Sequence, residues 1–231
     1  MRLLIFSDIH GNQYAWRAFL RSVRKVRYDH MVFLGDVFGY YYGQEEIANG
    51  LFAMENLIWL KGNHDHFFLE LLDNKIELNC LEKKYGSAYR RILSKGKNLR
   101  PFFDKLPFSY QLKIDDLSII FCHGTPDDPS NGRCYPRDCW RPAACRQYDV
   151  VICGHTHFRM VRKGKGKLWL NAGSLGQPRD GSRSGYLLFD TKTGEYEYVD
   201  VSYDKRPLSD EIQEKDPYLN KLKEILGRER L

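Results

Sequence analysis

Three short apolar runs, Leu3–Phe6, Met31–Leu34 and Leu57–Leu60, each end at a polar segment that contains glycine. Short apolar runs bounded by such segments read as buried strands. Between the first two lies a stretch from Gln13 to Val26 with Trp16, Phe19, Leu20 and Val23 at helical spacing and Arg17, Arg21, Arg24 and Lys25 on much of the remainder. That spacing predicts an amphipathic helix, with Asn12 placed to cap it. A second helix is expected over Glu45–Met54. Strand, polar loop and helix in alternation predict a parallel α/β core. In such sheets ligands gather outside the carboxyl ends of the strands, where the polar segments fall here.

The pattern changes after the third run. Residues 66–106 are helical in tone and rich in Leu, Lys and Tyr. Beyond them the chain reads as β, with strands expected at Ser109–Ile114, Leu117–Cys122, Val150–Cys153, Leu168–Asn171, Tyr186–Asp190 and Glu195–Val201. Turns at Asp115-Asp116 and Lys163–Gly166 suit hairpins. A last helix is expected over about Tyr218–Arg228. The 231 residues show no internal repeat and suit a single domain spanning 1–231, with a helical insertion at 66–106 and a candidate lid loop at 125–147.

Composition narrows the class without naming a function. A hydrophobic share of 42% is enough for a core without disulfide staples, and no apolar stretch is long enough to span a bilayer. No secretory leader is visible at Met1–Ile5, so a cytoplasmic location is the expectation. Cys122 and Cys153 end apolar runs, while the spacing of Cys134, Cys139 and Cys145 does not suit a zinc cluster, so free thiols are expected. The net charge of +6 favours anionic partners in general and leaves nucleic acid as an open possibility.

Chemistry concentrates in five segments, each directly after an apolar run: Asp8-x-His10, Gly35-Asp36, Gly62-Asn63-His64-Asp65, His123-Gly124 and Gly154-His155-Thr156-His157. Five of the seven histidines fall there; only His30 and His66 do not. Neutral imidazoles with carboxylate and amide oxygens make a mixed donor set that suits manganese, iron, nickel or zinc. Gly35, Gly62, Gly124 and Gly154 are expected to let the backbone bend so that the next side chain faces a shared centre.

Any one of these segments alone is a common turn. In order, the five resemble the calcineurin-like metallophosphoesterase superfamily, over Ser7 to Asp180, and most closely its small bacterial phosphodiesterase-like branch. The resemblance implies a four-layer α/β/β/α sandwich of two mixed sheets. It implies two divalent cations, manganese foremost with iron, nickel, zinc or magnesium as alternatives. One would be held by Asp8, His10, Asp36 and His157, the other by Asp36, Asn63, His123 and His155. Asp36 would bridge them, and His64 would be a catalytic histidine that is not a ligand. A metal-bridging hydroxide would attack a phosphoester, most readily a phosphodiester. Asn171–Gly181 resembles the branch's segment after Gly-His-Thr-His, with Ala172 where proline is usual. Gly39-Tyr40 fits the branch as well, but Tyr41-Tyr42 break its pattern. The protein-phosphatase pattern Gly-Asp-x-Val-Asp-Arg-Gly is not met, since Gly35-Asp36-Val37-Phe38-Gly39-Tyr40 lacks the second Asp and the Arg; this argues against a typical protein phosphatase and keeps phosphomonoester hydrolysis as the alternative activity.

Contacts to substrate are expected from Arg179, Tyr40 and Arg133. Arg179 has an equal alternative as a surface arginine paired with Asp180. Arg133, Arg137, Arg141 and Arg146, interleaved with Tyr135 and Trp140, make an anion-binding loop or an ordinary solvated one. Asp65 would orient His64 or cap the following helix; His66 is expected to be structural or exposed. Arg162–Lys167 reads as a hairpin tip. Two other classes compete with the enzyme: a non-catalytic scaffold, as in a retromer subunit that has this fold with an impaired site, and a nucleic-acid-binding module. The substrate and the oligomeric state are left open by the sequence.

Overall fold

The computed structural model describes residues 1–138 and 146–228. Cys139, Trp140, Arg141 and Cys145 lie outside the described residues.

The first sheet contains β1 (Arg2–Phe6), β2 (His30–Phe33), β3 (Leu57–Trp59), β9 (Gly185–Asp190) and β10 (Tyr196–Asp200), in the order β10-β9-β1-β2-β3. The strands β1, β2 and β3 run parallel, whereas β9 pairs antiparallel with β1 and with β10. The second sheet contains β4 (Ser109–Ile114), β5 (Leu117–Cys122), β6 (Val150–Cys153), β7 (Arg159–Gly164) and β8 (Lys167–Ala172), in the order β4-β5-β6-β8-β7. Here β5, β6 and β8 run parallel between two antiparallel edge strands. Both sheets are mixed, as an α/β sandwich requires.

Alternation along each strand decides which face is covered by what. Leu3, Ile5, Val32, Leu34 and Leu60 of the first sheet meet Ile119, Phe121, Ile152 and Leu170 of the second in one buried layer. The opposite face of the first sheet, with Leu4, Phe6 and Phe33, is covered by α1 (Gln13–Val23), α2 (Gln44–Phe52), α3 (Asn63–Leu72) and the short helices α4 (Leu78–Tyr85), α5 (Ala88–Leu93) and α6 (Gly96–Phe103). Over the outer face of the second sheet, Cys134 and Tyr148 pack on Ile120, Val151 and Trp169. Asn12 caps α1 as expected, its Oδ1 accepting from Ala15 N–H at 3.1 Å. No helix among the described residues is long and apolar enough to cross a membrane.

Several boundaries shift. The first helix stops at Val23, the second spans Gln44–Phe52, and the last, α8, spans Asn220–Leu226. Two elements went unread in the sequence. One is α7 (Arg206–Lys215), which buries only Leu208 and Ile212. The other is β7, which takes in the first part of the supposed hairpin tip, so the turn itself is Lys165-Gly166. Tyr41 and Tyr42 find their reason here. Tyr41 is buried among Leu208, Ile212 and Leu222 of α7 and α8, and the Tyr42 hydroxyl donates to Asp216 at 2.7 Å.

Candidate metal centre

The loops that leave β1, β2, β3, β5 and β6 at their carboxyl ends converge, and they carry all seven residues expected to hold metal. Asp8, His10 and His157 place ligand atoms within 4.8 Å of one another, and so do Asp36, His123 and His155. Asp36 Oδ2 lies between the two groups, 3.6 Å from His10 Nε2 and 3.4 Å from His123 Nε2. Asn63 Oδ1 is 3.0 Å from His123 Nε2. Each of the seven is at most 8% exposed.

The hydrogen bonds around the rings decide which nitrogens face the centre. His10 Nδ1 lies 2.8 Å from Phe38 O, His123 Nδ1 2.9 Å from Leu34 O and His157 Nδ1 2.7 Å from Gln177 O. A carbonyl only accepts, so each Nδ1 carries the proton and each neutral ring turns an Nε2 lone pair inward. His10 Nε2 then faces His157 Nε2 at 3.1 Å, and Asp8 Oδ1, which has no hydrogen-bond partner, lies 3.3 Å from the same His157 Nε2. Buried acceptors pointed at one another with no proton between them repel, and a cation in their midst removes the repulsion. The donor set therefore fits a divalent metal.

Protonation agrees. Burial first, then the His157 ring and Arg179, push His10 below the usual histidine value; burial and Arg179 do the same to His157, and burial and His123 bring His155 down to about 3. Neutral imidazoles are the ligating form. Burial, reinforced by Asp8 and Asp65, pushes the Asp36 carboxyl up. That is the cost of gathering carboxylates out of water, and a bound cation reverses it.

The loops are held in uncommon backbone conformations. Asp8, His10, Asp36, His155 and His157 all have φ between 49° and 68°, the left-handed region. Backbone bonds keep them there: Asp36 O accepts from both Ile9 N–H and His10 N–H, and Asp8 O accepts from Gly176 N–H and Ser174 Oγ–H. Of the four glycines expected to bend the chain, only Gly35 has a positive φ. Gly62, Gly124 and Gly154 serve close approach instead, because a Cβ at each would lie within 2.5 Å of a neighbouring atom.

His64, at the start of α3, lies beside the centre. Its backbone N–H donates to Asp36 Oδ1 at 2.8 Å and its Nδ1 meets the Tyr89 hydroxyl at 2.8 Å. Asp65 makes no hydrogen bond to the His64 ring, and at the third position of α3 it caps the helix start by accepting from the Gly62 N–H at 2.9 Å. From the first turn of α3 its carboxylate accepts from the backbone N–H groups of Gly62, Asp36, Val37 and Phe38, tying the second and third loops together. His66 is exposed and 3.8 Å from Glu70.

A cleft of about 150 Å³ opens onto Asp36, Asn63, His64, His155 and His157. Tyr40, Tyr85, Tyr135, Arg133 and Arg179 line the rest of it. Arg179 is not paired with Asp180. Its guanidinium donates to the Tyr40 hydroxyl at 3.0 Å and to Gln177, while Asp180 accepts from Arg159 N–H and Ser182. Arg133 Nε–H reaches His155 Nε2 at 3.2 Å. Tyr85 and Tyr89 were missed in the sequence, where nothing local separates them from the chain's other tyrosines; Tyr135 belongs to the arginine-rich loop read there as anion-binding or solvated. Larger surface grooves, such as one of about 680 Å³ along β9 and β10, carry none of the seven residues.

Fold and site together define a calcineurin-like phosphoesterase: residues 1–194 match the model of the calcineurin-like phosphoesterase superfamily domain, and the chain belongs to that superfamily. An uncharacterized protein of Methanocaldococcus jannaschii is 30% identical, the match covering 97% of this chain and 95% of that protein. Among solved structures, a hypothetical protein from Pyrococcus horikoshii superposes with a TM-score of 0.78 at 20% identity, over 98% of this chain and 96% of its own. A metallophosphoesterase from Sphaerobacter thermophilus does so with a TM-score of 0.75 at 22% identity, over 99% and 98%.

Proposed function

We propose that this chain hydrolyses a phosphoester, a phosphodiester before a monoester, with two divalent cations in the centre. The observation that carries the reading is the set of facing acceptors, His10 Nε2 to His157 Nε2 at 3.1 Å and Asp8 Oδ1 to His157 Nε2 at 3.3 Å. Asp8, His10, Asp36 and His157 would hold one cation; Asp36, Asn63, His123 and His155 would hold the other, with Asp36 shared. When bound, manganese or a similar ion supplies an acidified water and draws charge from the phosphate.

The chain's own residues do the remainder. Arg179, anchored on Tyr40 and Gln177, presents a cation to a phosphate entering the cleft, and Arg133, beside His155, presents a second. His64 is the one cleft histidine outside both ligand sets. Burial, and then His10 and His157, push its ring below the usual value, so it enters neutral. It assists departure of the ester oxygen by taking a proton from water at Nε2 and passing it to that oxygen. The preference for diesters rests on the resemblance of Asn171–Gly181, whose Ser174 and Gly176 hold the Asp8 backbone.

The experiment is a panel of phosphodiesters and phosphomonoesters, each with Mn, Ni, Mg and Zn, run beside Asp36→Asn. Turnover by the wild type and its near-complete loss in the variant, with less metal bound, is expected. A variant that kept its metal and the wild-type rate would sink the reading.

A further inference from the structure

Catalytic histidines are commonly steadied by a carboxylate. Among the described residues no carboxylate hydrogen-bonds to the His64 ring: Asp65 spends both oxygens on backbone N–H groups, and Asp36, with an oxygen within 4.8 Å of a ring nitrogen, accepts from the His64 backbone N–H instead. The ring instead lies among Tyr40, Tyr85, Phe67 and Tyr89. One polar contact reaches it. The Tyr89 hydroxyl is 2.8 Å from His64 Nδ1 and 3.2 Å from His64 O, and Tyr89 is fully buried.

We propose that Tyr89 is the positioning residue of His64, its phenol holding the ring as the Nδ1–H tautomer with Nε2 free for the cleft. A phenol has one proton and can also accept. If that proton goes to His64 O, Nδ1–H donates to the phenol oxygen, and both short contacts are hydrogen bonds. If the proton goes to Nδ1 instead, the contact to His64 O is left without one. The first arrangement satisfies more buried polar atoms. Burial pushes the Tyr89 phenol well above its usual value, so the proton stays on it. Tyr89 sits on α5, within the helical segment 66–106, and that segment thereby shapes the site. The inference deepens the role given to His64 and rests on it.

The test has two arms. Long-range proton–nitrogen spectra of the full chain with diamagnetic zinc, with His64 assigned by the signal lost in His64→Ala, should show Nδ1 protonated. Tyr89→Phe, which keeps the ring, should lose that single tautomer. In the kinetic arm, Tyr89→Phe should bind as much metal as the wild type and lower kcat about tenfold or more, as loss of an orienting partner does. In the His64→Ala background the same change should leave kcat within about twofold, since partners in one unit are not additive. An Nε2–H tautomer in the wild type, or an equal loss of kcat in both backgrounds, would overturn the proposal. If no phosphoester is turned over, the proposed function fails while the spectra still decide the role of Tyr89; they decide it from the wild type alone if Tyr89→Phe does not fold.

Discussion

Gly62→Ala tests the packing of the centre with one methyl group. A Cβ at Gly62 would stand 2.0 Å from Asp36 Oδ1, 2.6 Å from Asp36 Cγ and 2.5 Å from the Asp36 backbone nitrogen. Ordinary contact begins near 3.4 Å, so Asp36 Oδ1 must retreat by about 1.4 Å, the difference of the two distances. Asp36 cannot swing aside freely. Its Oδ1 accepts from His64 N–H at 2.8 Å and its backbone N–H is held by Asp65 at 2.9 Å. Overpacking of this kind costs about 1–3 kcal/mol, and displacing a reacting group by about 1 Å costs on the order of a hundredfold in rate. The variant should melt several degrees lower and bind metal more weakly, read by differential scanning calorimetry and by elemental analysis after dialysis against limiting metal. Wild-type melting together with wild-type metal content would refute the reasoning, because the Asp36 carboxylate would then not stand against Gly62.

Asp65→Asn turns one of two accepting oxygens into a donor facing backbone N–H groups, so at least one accepted bond is lost and one donor is opposed. The expected loss is about 3 kcal/mol in urea unfolding, with His64 and Asp36 both disturbed. pH gives a further check. His10, His64, His155 and His157 have folded values below their unfolded ones, so as pH falls below about 6.5 the unfolded chain takes up protons that the folded chain refuses. Their contribution is therefore complete above that pH and fades as pH falls, that of His155 towards about 3. Asp36 and Asp65, pushed up, act in the opposite sense but are fewer. Metal-free protein should melt lower at pH 4.5 than at pH 7.5, and metal should reduce the difference only where it still binds.

The centre was legible because each donor follows a strand that is apolar on both faces, and parallel strands deliver their carboxyl ends to one edge. Trp16, Phe19 and Val23 announced α1 by the same logic of burial. What stayed hidden has little apolar signal or depends on distant packing. In β7, Met160 is the one buried residue, between arginines and lysine, as an edge strand permits. Leu208 and Ile212 alone anchor α7. Asp65 looks like any acidic residue at a helix start until the second loop is seen folded over it. Tyr89 is twenty-five residues from His64 along the chain and touches it only after α3 and α5 are packed.

The five left-handed backbones at Asp8, His10, Asp36, His155 and His157 bear on how such a site could decay. Each holds a side-chain-bearing residue where glycine sits more easily, at roughly 1 kcal/mol apiece. A lineage that no longer needed the chemistry would gain stability by drifting to glycine or asparagine at these positions, while Gly62 and Gly154, hemmed in by neighbours, would stay. Abandoned copies of this centre would then be known by glycines standing where histidines and aspartates had been, on a chain more heat-resistant than its working ancestor.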